Sequence, residues 1–528
     1  MDFENTLSSQ LIIASAFPPN KNTSGNAMAK RVILSGNKVD VIQNNINNNL
    51  DNEFNEVVNE FINERIVIKS PMTFFEWDLI KKFVENGLKE LKDRSYESIY
   101  SRAMFPASHF LAFEYKMIHP ETFWTAEFSD PILFGIMGEL REDIIDDEEY
   151  IEKIKKIIKE YNMDYKFVNN VEFLAECLPY LFADEIAFTN DNQLKYMLDY
   201  FPYPFLKEDT LRKSVVNKHP TLDKKYYYLA DYEYELDDSI VNFAYFGIFY
   251  GNRTLEELFF AFESIDSIIQ EKYQIHIFTH DINSFESSID TLKIKDKFVI
   301  NSYVPFLDFL NLSTKFDCLI VNDAYTKPYK DINPYLPSKI SDYLGSGTNI
   351  WAICEKNSTM DKLSLDYKSY LGDYLSNKVI VEKIILDVLK SKNIIVDFET
   401  DQNLYNHYNF PDNRFKDFNE SYLSVELTKN VDYLDNRIKG KNIEIFDMKL
   451  EINNLKARLN ILQEDNNKVI RNLSNENKEY QNKIKKYRNK IKKQNGTIKK
   501  LKHSKLNRLK NILGKISMIR RIINLKRL

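Results

Sequence analysis

Apolar positions along this chain fall into short, nearly continuous runs separated by stretches of helical periodicity. Leu11 to Phe17 is one such run, followed by Pro18 and Pro19, a polar loop to Gly25, and an apolar-periodic stretch from Ala27 to Leu34. A run of that length bounded by turn residues reads as a strand buried on both faces, and the stretch after it as a helix. Ser35-Gly36-Asn37 closes the helix with a glycine at its C-terminus, and Val39 to Ile42 supplies a second strand, completing a βαβ unit. Further strand-length runs follow at Ser98 to Tyr100, Thr122 to Thr125 and Glu185 to Phe188, with a helical pattern from Tyr150 to Tyr161 among them.

A second series of the same kind begins near Asn242. It comprises Phe243 to Phe246, a helical pattern from Thr254 to Ser267, then Ile275 to Phe278, Phe298 to Ile300, Cys318 to Val321 and Ile350 to Ile353. Apolar strands alternating with helices predict a parallel sheet covered on both faces. The expected fold class is therefore α/β, with two Rossmann-like, doubly wound domains over residues 1–235 and 236–430, the second including closing helices. Their junction falls near residues 210–240, and ligand is expected in the cleft between them, at the carboxyl ends of the strands.

Beyond about residue 430 the pattern changes. Met448, Ile452, Leu455, Leu459, Leu462, Asn466, Val469 and Leu473 step by four and three alternately, a heptad seam. One extra step of four to Asn477 precedes Tyr480, Ile484, Tyr487, Ile491, Ile498 and Leu501, a stutter that locally unwinds a supercoil. Residues 431–503 are expected to form a coiled coil and, through it, a homo-oligomer. In residues 504–528, Leu506, Leu509, Ile512, Leu513, Ile516, Ile519 and Ile523 share one helical face, flanked by Lys510, Lys515, Arg520, Arg521, Lys526 and Arg527. That is the pattern of an amphipathic helix lying on an anionic membrane; a continued coiled coil or a solvated basic arm are the alternatives.

Composition sharpens this division. The chain has 528 residues and a net charge of −6, yet Tyr480 to Leu528 carries 18 Lys and Arg and no Asp or Glu. Residues 1–479 thus hold 54 basic and 78 acidic side chains, a balance of −24. An acidic body with few aromatics in its basic segment argues against a nucleic-acid partner. Three cysteines, Cys177, Cys318 and Cys354, have neither CxxC nor zinc-site spacing, which fits a reducing compartment. No apolar run reaches the roughly 18 residues of a spanning helix, and Leu11 to Phe17 lacks a secretion signal's basic start. A cytoplasmic protein, peripheral on the inner face of the cell membrane, is expected.

Candidate chemistry is sparse. The loop Ser15 to Asn26 is neither a P-loop nor a GxGxxG turn, but Gly25 opens the first helix and would let backbone N–H groups face an anionic phosphate. An ordinary turn glycine is the alternative. Tyr335-Leu-Pro-Ser-Lys339-Ile-Ser-Asp342-Tyr-Leu-Gly345-Ser-Gly347 precedes the strand Ile350 to Ile353. Lys339 and Asp342, three apart on a short helix, can project toward one place, the carboxylate toward ribose hydroxyls and the ammonium toward phosphate. A surface ion pair is the alternative.

That segment resembles the nucleotide-sugar half-site of glycosyltransferase family 4, retaining enzymes of the GT-B fold. Gly247-Ile-Phe-Tyr-Gly-Asn-Arg253 is similar to the family's strand-turn segment with a phosphate-binding base. Ser101-Arg102, Ser108-His109, Phe123 to Asp130-Pro and Ala183 to Asn190 are similar to its N-domain strand ends. The resemblance covers roughly residues 10–400. It implies a nucleotide-sugar donor held by Gly25, Arg253, Lys339 and Asp342, with Asp130 and His109 at strand ends lining the acceptor side as catalytic residues. Two positions depart from the family pattern: Pro334 stands where an acidic residue is common, and Ile248 where a basic one is. No Asp-x-Asp triplet occurs, which fits a metal-independent enzyme without a cofactor. The expected activity is transfer of a sugar from a nucleotide-sugar to a membrane-associated or lipid-linked glycan in cell-surface polysaccharide assembly. The alternative is an inactive GT-B scaffold that assembles a membrane complex through its coiled coil.

Overall fold

A computed structural model describes residues 9–45, 50–247 and 255–394. The coiled coil, the basic tail, Ile248 and Arg253 lie outside the described residues. The first sheet is built from β1 (Gln10–Ile13), β2 (Val39–Asn44), β3 (Ile62–Ile68), β4 (Ser98–Ala103), β5 (Phe123–Phe128), β6 (Glu185–Phe188) and β7 (Ser214–Val216). Every pairing is parallel, in the order β3-β2-β1-β4-β5-β6-β7. The second sheet contains β8 (Val241–Phe246), β9 (Tyr273–Thr279), β10 (Phe298–Ser302), β11 (Cys318–Asn322), β12 (Asn349–Cys354) and β13 (Tyr367–Tyr370). It too is parallel, ordered β10-β9-β8-β11-β12-β13. Two such doubly wound domains make the GT-B fold.

The continuous apolar runs have a simple cause. In β1, Leu11 and Ile13 enter one core while Ile12 and Ala14 enter another on the opposite face. In β8, Phe243 and Tyr245 face one core while Ala244 and Phe246 face the other. A strand covered by helices on both faces needs an apolar residue at every position, not every second one.

The strand order reverses beside β1 in the first sheet and beside β8 in the second, so a crevice opens at the carboxyl ends of β1 and β4 and of β8 and β11. The two domains are also joined by a shared core. Ile12, Met28, Val32 and Phe54 of the first domain pack with Tyr226 and Tyr227 of the linker and with Phe306 and Leu310 of the second. Phe54 and Phe306 stand 4.5 Å apart, ring to ring. At that edge Asp51 accepts the Phe306 N–H at 2.8 Å, and on the far side of the cleft Asn190 and Asn192 donate to the carbonyls of Pro334 and Asn333, each at 3.0 Å.

One predicted helix is shorter than its pattern. The stretch expected from Thr254 to Ser267 is helical over Glu256–Glu263. At Asp266 the chain turns back on itself: its carboxylate accepts the Ile268 N–H and its own N–H goes to Glu382, so the buried Ile265 and Ile269 are placed by a loop. The three cysteines are free and buried.

Candidate functional site

The first helix, Thr23–Ser35, begins where it does because Asn22 caps it. The Asn22 backbone is extended, and its side-chain oxygen accepts the N–H groups of Ser24 at 2.9 Å and Gly25 at 3.1 Å. Gly25 has a local reason of its own. A Cβ there would stand 2.8 Å from the Ala16 carbonyl oxygen, so the helix can pass under the end of β1 only with glycine at this position. The close approach expected of Gly25 is thus made to its own chain, and its neighbours Thr23 and Ser24 are the ones that reach the cleft.

Beside that helix end lies a buried charge network. Arg102 on β4 and Glu127 on β5 are register partners on adjacent strands, so their side chains share one face. Arg102 bonds Glu127, and also donates to Ser24 Oγ at 3.0 Å and to Ser129 Oγ at 3.2 Å. Glu127 also takes a two-pronged bond from Arg31, at 2.9 and 2.7 Å, and a hydroxyl bond from Tyr100 at 2.6 Å. Burial alone would raise the Glu127 carboxyl, but the Arg102 and Arg31 guanidiniums and these hydrogen bonds outweigh it and hold it at about 2.

On the second domain, the helix Lys339–Ser346 points its N-terminus at the same cleft. The structure parts the two charges expected to act together. Lys339 Nζ reaches over the end of β8, donating to the Phe246 carbonyl at 2.7 Å and lying 3.8 Å above the Tyr245 ring. Gly247, with a φ of 149°, leaves room for it, since a Cβ there would meet that ammonium at 2.7 Å. Asp342, one turn further on, turns inward and accepts Lys30 Nζ at 2.7 Å across the domain junction. Their side chains are 3% (Lys30) and 8% (Asp342) exposed. Burial lowers the Lys30 ammonium and raises the Asp342 carboxyl, and their mutual attraction only partly offsets this.

These elements line a small pocket that is open to solvent. Thr23 and Ser24 line it from the first helix, Arg102 and Met104 from the end of β4, Ser129 and Asp130 from the end of β5, and Ser338 from the facing helix. The linker contributes His219, whose Nδ1 is buried without a partner among the described residues. Burial and the nearby Arg102 and Lys30 push the His219 imidazole down to about 3, so it is neutral. Asp130 is exposed on the pocket wall, at the end of β5 as expected.

His109 is placed elsewhere. It lies in the helix Ala107–Ile118, not at a strand end, and is buried against Trp124 and Phe128. Its Nδ1 pairs at 2.8 Å with Ser101 Oγ, which also accepts the Trp124 indole N–H at 2.8 Å. Burial depresses the His109 imidazole to about 3, so the ring that shares this hydrogen bond with Ser101 is neutral. Ser101 alternates to the opposite face of β4 from Arg102, which sets His109 apart from the charge network.

Sequence reasoning missed Lys30, Arg31, Glu127 and His219 as site residues. Lys30-Arg31 did leave a signal, two charges inside an otherwise apolar helix, and Arg102 and Glu127 are opposite charges at the ends of consecutive strands. His219, a lone histidine in a polar linker, left none.

No protein-family model matches the sequence, and no curated protein matches it. Among solved structures, a sucrose-phosphate synthase from Thermosynechococcus elongatus is similar over 73% of this chain and 92% of its own, at 12% identity and a TM-score of 0.48. The apo form of the lipopolysaccharide outer core galactosyltransferase WaaB is similar over 74% and 96%, at 11% identity and 0.44. A UDP-N-acetylglucosamine 2-epimerase is similar over 73% and 90%, at 10% identity and 0.44. Likenesses this distant decide nothing about chemistry, which rests on the residues of the cleft.

Proposed function

We propose that this chain is a retaining glycosyltransferase that moves a sugar from a nucleotide-sugar donor to a membrane-associated or lipid-linked glycan. The observation that carries the reading is the convergence of two helix N-termini from opposite domains, at Ser24 and Ser338, on one pocket walled by Arg102. Helix N-termini and a guanidinium favour an anion, and a diphosphate between two Rossmann-like domains is the anion such a cleft suits. Around the pocket the cations Lys30, Arg31 and Arg102 are matched in number by the carboxylates of Glu127, Asp342 and Asp130, so the helix ends rather than net charge favour the anion.

In this reading the sugar–phosphate bond breaks with its electrons passing to the diphosphate, while an acceptor hydroxyl attacks the anomeric carbon from the same face. Lys339, Arg253 and the helix ends stabilise the charge that develops on the leaving oxygen. Asp342 meets the donor ribose once Lys30 leaves it, and Gly25 shapes the loop beside the diphosphate. Asp130 faces the acceptor, and His109 supports β4 through Ser101. Residues 504–528 bring the enzyme to the inner face of an anionic membrane, and residues 431–503 join copies of it. A second reading, an inactive scaffold, draws on the burial of Asp342 against Lys30, which occupies the carboxylate that a ribose would need.

Nucleoside diphosphate release from a panel of sugar nucleotides, with membranes present as acceptor source, tests the proposal. Lys339→Ala and Arg253→Ala should each lower turnover by about 10²- to 10³-fold, the usual cost of removing one fixed donor to developing charge. Full activity in either variant removes that residue's role. Absence of release from every donor favours the scaffold.

A further inference from the structure

The two domains meet along two edges of opposite chemistry. At the linker edge the seam is apolar, with Phe54 packed on Phe306. Across the cleft, the loop after β11 meets the first domain through hydrogen bonds, from Asn190 and Asn192 to the carbonyls of Pro334 and Asn333 and from the Tyr200 hydroxyl to Asp331 at 2.7 Å. Parting an apolar seam returns its area to water at about 25 cal/mol per Å², whereas a polar contact exchanges each hydrogen bond for one to water at a net cost of about 1 kcal/mol. The polar edge is thus the easier one to open, and the pocket walled by Ser24 and Ser338 from opposite domains would widen with it.

Lys330 sits in the middle of that edge. Its Nζ reaches from the second domain into the first, donating to the Gly135 carbonyl and to the Tyr196 hydroxyl, each at 2.7 Å. The residue is 5% exposed, and no carboxylate pairs with it among the described residues. Glu139 and Glu176 act on it from a distance and favour the ammonium, as do the rings of Tyr196 at 4.2 Å and Tyr335 at 5.8 Å, while Arg141 opposes it. Asp130 acting on Tyr335, and Asp331 bonded to Tyr200, complete the charged surroundings. Burial outweighs the favourable groups and brings the ammonium down to about 7. The closed edge offers two acceptors, and a neutral amine has two N–H groups, so the extra proton leaves without loss of either hydrogen bond. We propose that Lys330 couples closure of this edge to release of a proton, a neutral amine when the domains meet and an ammonium when they part.

The closed form binds fewer protons, so closure strengthens as pH rises from about 7, where the closed form loses its proton, to the ordinary 10.5 at which the open form does. Inside that window the closed-to-open ratio should grow by close to tenfold per pH unit. Between pH 8 and 9 the neighbours hold steady: Glu176, raised to about 7 by burial, is already ionised, and burial keeps the Tyr196, Tyr200 and Tyr335 phenols above their ordinary 10. Spin labels on Lys195→Cys and Ser364→Cys report the width of the edge in the full-length chain. Both positions are exposed, and they flank the contact in which Lys362 Nζ donates to Asn192 at 2.7 Å; the three native cysteines are buried. Pulsed dipolar spectroscopy at pH 8 and pH 9 should show the short distance gaining on the long one by about tenfold. The ratio should stay constant in Lys330→Met, which has no proton to lose, and in Lys330→Arg, which keeps its own. A ratio that does not move in the otherwise unchanged chain, or that moves the other way, overturns the proposal. So does a single distance at both pH values, or a shift that survives in either variant. None of these outcomes bears on the glycosyl-transfer reading, because no ligand takes part.

Discussion

The Lys30–Asp342 pair permits a quantitative test of how the two domains are held. At 2.7 Å, two unit charges attract by about 6 kcal/mol for an effective dielectric of about 20. Yet burial lowers the Lys30 ammonium and raises the Asp342 carboxyl, so desolvation outweighs the attraction for each partner. Such a pair contributes little net stability, while removing one member strands the other charge in the interior. Lys30→Met and Asp342→Asn should therefore each destabilise the protein by about 3–5 kcal/mol, and the double variant should lie within about 1 kcal/mol of wild type. Urea denaturation of the four proteins measures the cycle. Additive losses, or a harmless single substitution, would refute the buried pair and with it this closure of the domains.

Other outcomes follow from the same network. Glu127→Gln leaves Arg31 and Arg102 without their carboxylate and should cost about 3 kcal/mol at neutral pH, from a carboxyl held at about 2 against an ordinary 4.5. Because the folded pKa is the lower one, that stability is present above about pH 4.5 and is lost as pH falls toward 2; denaturation midpoints across this range should show the acid loss in wild type and a flatter curve in Glu127→Gln. Gly25→Ala should destabilise by about 1–3 kcal/mol, since its Cβ meets a backbone oxygen that cannot swing aside; a thermal melt reads it. Deleting residues 504–528 should release the protein from anionic vesicles in a co-sedimentation assay, and unchanged binding would remove the membrane reading.

Much of the fold was legible because most strands are interior. Ten of them left apolar runs within a few residues of their observed bounds, among them β6 at Glu185–Phe188. Those without such a run, β3, β7 and β13, all lie at sheet edges, where one side is not covered by another strand. Ile62–Ile68 carries Asn63, Glu64 and Arg65 within it, and Ser214–Val216 spans only three residues, so neither offers a continuous apolar signal. The site was less legible for a different reason. Motif spacing put Lys339 and Asp342 on one helix turn, but spacing cannot say that Lys30, over 300 residues earlier, would claim the carboxylate. His109 looked like a cleft residue because it follows a strand, yet the pleat of β4 sends its partner Ser101 to the face away from Arg102.

In the proposed reaction a sugar leaves a nucleotide and joins a membrane-borne acceptor. Incubating the protein with labelled sugar nucleotides and membranes, in wild-type and Lys339→Ala forms, measures both halves at once. Label should appear in the membrane fraction, matched by released nucleoside diphosphate, with the anomeric configuration of the donor retained and both signals lost in the variant. Label that remains on the nucleotide, or that returns as an epimerised sugar without transfer, would contradict it.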